Sequence, residues 1–309
     1  MEAKPESMRE AIGSALCEIG DSNKNIVIVG ADTTESLSLS QFGKKFPERF
    51  FNVGIAEQNM IGVSAGMALY GKTVICGTYA VFIERALDQI RNTIAYCKLD
   101  VKIIGAHTGI SVGPDGGSHQ AIEDIAIMRA LPNMKVIVPS DSYSAKALAT
   151  QAASTKGPFY IRLIRSNVPN IYSNEQIQIG KANVIKEGND IAIIACGITV
   201  HEAIRAAKRL EAQGISARVI DCHTIKPLDE QTILAAAKDT GRIITVEDHN
   251  MYGGLGSAVA ELLSRKRPTR VEMIAVKDVF GESGKDSELM AKYGISEQDI
   301  FTKAMEAMK

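Results

Sequence analysis

Glu57 lies near the start of "FFNVGIAEQNMIGVSAGMALYG" (50–71), which after Gly54 places small and apolar residues at helical spacing. A carboxylate there is solvated at the helix end, paired with a cation, or used. Burial among Gly, Ala and Met disfavours its charged form, which suits a group that exchanges protons. The loop "GAHTGISVGPDGGSHQAIED" (105–124) gathers His107, Asp115 and His119 among five glycines. Long irregular loops in compact domains are commonly functional, and these three side chains suit a small polar ligand. A metal site is the weaker reading, because the loop has no H-x-x-x-H or C-x-x-C spacing. The plainest alternative is that one histidine caps the next helix and the other is solvated. In "GTYAVFIERAL", Tyr79 and Phe82 are three residues apart and would share one face of a first helical turn. Neither G-x-G-x-x-G nor G-x-x-x-x-G-K-[ST] occurs, and no G-x-S-x-G nucleophile elbow is present.

These residues need a scaffold, and apolar runs alternating with helical patterns supply one. Strands are expected at 25–32, 73–78, 101–107, 134–141, 159–164, 191–197, 216–222, 242–248 and 271–276. Most are continuously apolar, which marks parallel strands covered on both faces. The fold class is therefore α/β, with two doubly wound, mostly parallel sheet domains. The polar stretch 165–190 lacks helical period and is expected to be a linker with a short hairpin. It divides a domain at 1–175 from a linker and second domain at 176–309. Ligands of open parallel sheets bind beyond the carboxyl ends of the strands. Those ends present Asp32, Thr78, His107, Asp141 and Arg165 in the first half, and Gly197, His223 and Asp248 in the second.

Composition narrows the class. A chain of 309 residues, 45% hydrophobic and 23% charged, is that of an ordinary globular protein with room for two cores. A net charge of −1 gives no electrostatic reason to expect nucleic acid or an anionic membrane as partner. No apolar run approaches the length of a membrane span, and the amino terminus lacks a signal-peptide pattern. Five scattered cysteines are expected to be reduced core thiols of a cytoplasmic protein.

Taken together and in order, the motifs resemble the carboxyl-terminal half of the transketolases across essentially the whole chain. "GIAEQNM" resembles the segment carrying that family's cofactor-activating glutamate, here Glu57. "GTYAVF" is similar to the segment whose aromatics stack on the aminopyrimidine of thiamine diphosphate, here Tyr79 and Phe82, with Asp32 added at the neighbouring strand end. The loop 105–124 resembles the substrate loop, which makes His107, Asp115 and His119 sugar-contacting residues, His119 also with a catalytic part. Arg9, Ser36 and Arg165 match the family's phosphate-binding arginine, serine and second arginine. Two departures stand out. Arg85 occupies a position that is often aromatic, and the diphosphate-binding half with its G-D-G sequence is missing.

The resemblance implies a ketol transferase whose glutamate promotes proton loss from the coenzyme's thiazolium. It implies thiamine diphosphate shared with a separate amino-terminal transketolase subunit, which binds Mg²⁺ or Ca²⁺; no metal site is expected in this chain. It also implies self-association as the homodimer core of an α₂β₂ assembly, and sugar phosphates as substrates. The rivals are half of a deoxyxylulose-phosphate synthase, the beta subunit of a 2-oxo acid dehydrogenase, and an inactive scaffold or regulatory subunit of the same fold. His223 and His249 have no expected role beyond packing or subunit contacts.

Overall fold

The structure, a computed structural model, describes residues 4–309. Two α/β units follow one another, each built on a mostly parallel sheet. The first sheet contains β1 (Ile26–Gly30), β2 (Phe50–Asn52), β3 (Thr73–Tyr79), β4 (Val101–Ala106), β5 (Lys135–Ile137) and β6 (Phe159–Leu163). The second contains β7 (Asn183–Lys186), β8 (Ile191–Ala195), β9 (Ala217–Asp221), β11 (Ile243–Asn250) and β12 (Val271–Val276). The short β10 (Thr224–Lys226) comes from the second half of the chain, yet it pairs antiparallel with β5 as the seventh strand of the first sheet. The strand orders are β10-β5-β6-β4-β3-β1-β2 and β12-β11-β8-β9-β7.

The apolar runs divide by parity, as a sheet covered on both faces requires. On one face Ile26, Ile28, Ile75, Ile104 and Ile161 share a core with α1 (Met8–Ser22) and α7 (Ser142–Ser154). On the other, Val27, Val29, Cys76, Ile103 and Tyr160 share a core with α3 (Glu57–Leu69). The remaining helices of the first unit are α2 (Ser40–Lys45), α4 (Ala80–Ile83), α5 (Leu87–Gln89) and α6 (Asp124–Ala130). In the second unit they are α8 (Thr199–Glu211), α9 (Glu230–Thr240), α10 (Leu255–Lys266), α11 (Asp286–Lys292) and α12 (Glu297–Ala307).

All nine expected strands form, with ends shifted by no more than two residues except at 134–141, where β5 stops four residues early at Ile137. Strands β2, β7 and β10 are additional, only three or four residues long and too short to show a period. The hairpin expected within 165–190 does not form. Instead β7 pairs antiparallel with β9, Asn183 opposite Asp221, because that edge offers a partner with a full row of backbone groups. The thiols are not all in the core: Cys97 is exposed and Cys17 half-buried, whereas Cys76, Cys196 and Cys222 are buried and all five are free. No helix among the described residues is long and apolar enough to cross a membrane.

Candidate active site

Strands β1, β3, β4 and β6 are consecutive and parallel, so their carboxyl ends lie on one edge of the sheet. Tyr79 pairs with Ala106, and Ala106 with Leu163, which sets Tyr79, His107 and Arg165 side by side at that edge. His107 turns the chain out of β4 with a φ of 56° and is only 3% exposed. Asp32 turns it out of β1 with a φ of 63°; its side chain is exposed, and its N–H donates to Asn52 Oδ1 at 3.1 Å. Alongside, Thr33 Oγ1 donates to Thr78 Oγ1 at 2.9 Å, tying the ends of β1 and β3 together.

An aromatic stack grows from this edge. Tyr79 stacks with Phe82 (centroids 5.4 Å apart, 13° between planes) and with His107 (3.9 Å, 22°). Phe82 then meets His119 edge to face at 5.5 Å. His119 Nδ1 is 3.0 Å from Ser118 Oγ, while His107 Nδ1 is buried with no hydrogen-bond partner. Burial pushes the His107 imidazole down to about 3, helped by the positive charges of Arg9 and Arg165 and by His119. It is thus a neutral ring with one nitrogen free to donate to or accept from a ligand.

Glu57 is the first residue of α3 and is 3% exposed, so the buried position expected for it is observed. Its Oε2 lies 3.6 Å from Arg85 Nη1, a guanidinium whose side chain is 65% exposed. Gln58 Nε2 donates to the Arg85 backbone carbonyl at 3.4 Å, which fastens the helix start to the segment after Phe82. Arg85, which stands where an aromatic is often found, therefore supplies Glu57 with a countercharge from the solvent side. Glu84 beside it carries no motif, yet its Oε1 is buried and unpartnered. Burial, together with Glu123 and Asp124, pushes its carboxyl up to about 8. A single acid within "FIERAL" resembles a solvated surface charge, so no sequence signal separates it.

The three residues matched to phosphate binding converge. Arg9 Nη1 donates to the Ser36 carbonyl at 2.8 Å and Arg9 Nη2 to the Arg165 carbonyl at 2.9 Å. Arg165 Nη1 donates to the Val112 carbonyl at 3.0 Å, and its Nη2 is 3.8 Å from Asp115 Oδ1 on the rim. Arg9 and Arg165 open onto a cavity of about 760 Å³, whose far wall is Ser283, Gly284, Lys285 and Asp286 of the second unit. Neither Glu57 nor a ring of the aromatic stack lines it. Among the described residues, no group of three or more His, Cys, Asp or Glu side chains is arranged to hold a metal ion.

The histidines of the second unit have structural partners. His223 contacts Thr224 Oγ1 and Asn183 Oδ1, at 3.1 and 3.3 Å. His249 Nε2 accepts from Ala126 N at 3.3 Å, capping the start of α6 across the boundary between the units.

Comparison with known proteins assigns both units to domain families. Residues 4–170 match the transketolase pyrimidine binding domain, and residues 180–300 the transketolase C-terminal domain. A putative transketolase C-terminal section of Methanocaldococcus jannaschii is 47% identical over 309 residues, covering 98% of this chain and 97% of that protein. One of the subunits of the apulose-4-phosphate transketolase of Phocaeicola vulgatus is 38% identical, with 97% of each chain covered. A solved split-gene transketolase, an inactive β4 tetramer, superposes with a TM-score of 0.91 at 46% identity, over 99% of both chains. The chain belongs to the transketolase family, within which it comprises the pyrimidine-binding and C-terminal domains.

Proposed function

We propose that this chain is the C-terminal subunit of a two-chain transketolase. The reaction is thiamine-diphosphate-dependent transfer of a two-carbon ketol unit from a ketose phosphate to an aldose phosphate. Residues 1–175 form the pyrimidine-binding domain and residues 176–309 the linker and C-terminal domain; of the first, residues 1–3 lie outside the described residues. A separate amino-terminal subunit supplies the diphosphate and divalent-metal site, around a core of this chain paired with itself in an α₂β₂ assembly. One observation carries this reading: a buried carboxyl at a helix start, next to a stacked aromatic wall and a neutral buried imidazole, on a single sheet edge.

The residues present suit the coenzyme. The stacked rings of Phe82 and Tyr79 offer a flat apolar surface to an aminopyrimidine, and Glu57 a carboxyl oxygen shielded from water. When bound, thiamine diphosphate supplies the nucleophilic carbon that adds to the ketose carbonyl. Glu57 holds or receives a proton at its carboxyl oxygen against the pyrimidine ring, with Arg85 as countercharge. Tyr79 fixes the His107 plane, and the free Nδ1 hydrogen-bonds a sugar hydroxyl. His119, held by Ser118, orients the reacting end of the sugar. Arg9 and Arg165 bind the phosphate, because a guanidinium presents paired donors to such an anion. Asp32 and Asp115 contact cofactor and sugar from the rim.

The relative named for apulose 4-phosphate favours a ketose phosphate as donor while leaving open a branched one. The purified chain, mixed with its amino-terminal partner, thiamine diphosphate, Mg²⁺, xylulose 5-phosphate and ribose 5-phosphate, is expected to form sedoheptulose 7-phosphate. Apulose 4-phosphate is assayed in parallel as donor. Glu57→Ala is expected to lose about 100-fold or more in turnover, the scale of a removed proton-transfer group. Near-full activity of that variant would refute the assigned role, and tight coenzyme uptake by this chain alone would refute the two-chain division.

A further inference from the structure

The loop that presents His107, Asp115 and His119 is closed by its own Gly109 N–H to Ala121 carbonyl bond, at 2.7 Å, but the turn inside it is held from outside. Its short 3₁₀ turn, Ile110–Asp115, begins after Gly109 with no side chain of its own capping it. The cap comes from the second unit. Asp248, on β11 and 1% exposed, accepts the Ile110 N–H on Oδ1 at 2.7 Å and the Ser111 N–H on Oδ2 at 3.1 Å. Two backbone donors on one buried carboxylate form a charge-assisted clamp. Asp248 is itself anchored: its carbonyl accepts from Arg162 Nη2 at 2.9 Å, and Arg162 Nε bonds both oxygens of Asp124 at 3.1 and 2.9 Å.

The loop glycines show the same dependence. A Cβ on Gly109 would stand 2.2 Å from Asp248 Oδ2, and one on Gly117 would stand 2.5 Å from the Gly281 carbonyl. Gly109 also has a φ of 73°. These glycines permit approach of the second unit rather than of a ligand, a different purpose from the one their number suggests. Gln120 completes the seam, donating to the Ile110 carbonyl at 3.1 Å and the Glu282 carbonyl at 3.0 Å.

We propose that Asp248 is a positioning residue for the sugar phosphate site, and that the C-terminal unit thereby shapes the substrate loop as well as serving assembly. Held at residues 110 and 111, the chain places His107 three positions upstream against Tyr79, and the Val112 carbonyl just downstream on Arg165. The clamp thus sets imidazole and guanidinium in register. The substrate it serves is that of the proposed function, on which this assignment rests. Glu57 lies in α3, Tyr79 at the end of β3 and Phe82 in α4, all outside the clamped loop, so the groups that face the coenzyme are not held by the clamp.

The test uses Asp248→Asn, which keeps the shape and one acceptor oxygen, and Gly109→Ala, which crowds the same carboxylate. In the reconstituted two-chain enzyme both variants are expected to raise KM for the ketose phosphate about tenfold or more. The apparent affinity for thiamine diphosphate stays within about twofold. In the full chain, hydrogen exchange at the amides of 110 and 111 is expected to quicken about tenfold or more, with protection of the strands unchanged. A KM within about twofold of the unaltered enzyme, or unchanged exchange at those amides, overturns the proposal. A parallel loss of coenzyme affinity and strand protection overturns it too, by reducing Asp248 to a general fold staple. If the unaltered enzyme transfers no ketol unit yet the local exchange effect is seen, the proposed function fails while the clamp stands.

Discussion

At His107, burial and charge act in the same direction. Desolvation disfavours the imidazolium, and Arg9, Arg165 and His119 add positive charge around it, so the folded state keeps the ring neutral down to about pH 3. The unfolded chain takes up that proton near 6.5. Between those values the unfolded state binds more protons, so the contribution of His107 to stability is complete above the upper value and lost as pH falls toward the lower. Urea unfolding of His107→Asn between about pH 4 and 7 is expected to show a slope of stability against pH that is less positive, or more negative, than that of the unaltered chain by up to about 1.4 kcal/mol per unit. An identical slope would mean that the ring is already charged when folded. The asparagine leaves the other buried titrating groups, Glu84 and Asp221, in place, so their opposite pH dependence cancels in the comparison.

At the scale of elements, the site depends on how closely β4 passes β6. A Cβ at Gly105 would lie 2.1 Å from the Tyr160 hydroxyl, which donates to Asp124 Oδ2 at 2.8 Å beside the Arg162 ion pair. Gly105→Ala is expected to cost about 1–3 kcal/mol by overpacking. Adding Tyr160→Phe is expected to restore part of that, and thermal melts of the single and double variants measure both. Additive losses would show that the two side chains do not meet. The nine expected strands were legible because each sits in an apolar run, even where only three residues of that run pair, as in β5. Three-residue strands such as "FFN" and "TIK" carry no period, and their pairing is set by which edge is free. The helical stretch after Tyr79 was also legible, but not its division into α4, a 3₁₀ turn, α5 and a wider turn over Ile90–Ala95. Among site residues, Glu57 and the loop histidines stood out because their chemistry conflicts with their apolar or glycine-rich surroundings, whereas Tyr79 and Phe82 taken alone read as core packing and drew meaning from the resemblance. Asp248 did not, since an acid at a strand tip acquires meaning only from donors 137 and 138 residues away.

For the whole molecule, the question is what binds the two units and the segment between them into one body. Asp221 lies at that junction, at the end of β9 and fully buried. Its Oδ2 accepts from Ser140 Oγ of the first unit at 2.6 Å and from the Tyr172 hydroxyl of the connecting segment at 2.8 Å, while Oδ1 has no partner. Burial pushes this carboxyl from 3.8 up to about 7; the two hydrogen bonds oppose that rise and Asp141 adds to it. A folded value above the unfolded one means a contribution that is complete below 3.8 and lost as pH rises through about 7. Asp221→Asn keeps one oxygen for Ser140 and Tyr172, places an amide at the unpartnered position, and cannot ionise. The stability of this variant relative to the unaltered chain is therefore expected to improve steadily between about pH 4 and 7, by a few kcal/mol in all. Calorimetric melts across that range read the trend, and a difference independent of pH would show that Asp221 is ionised throughout. The junction would then be held by a carboxylate that accepts from two neutral hydroxyls, and its strength would not vary across that range.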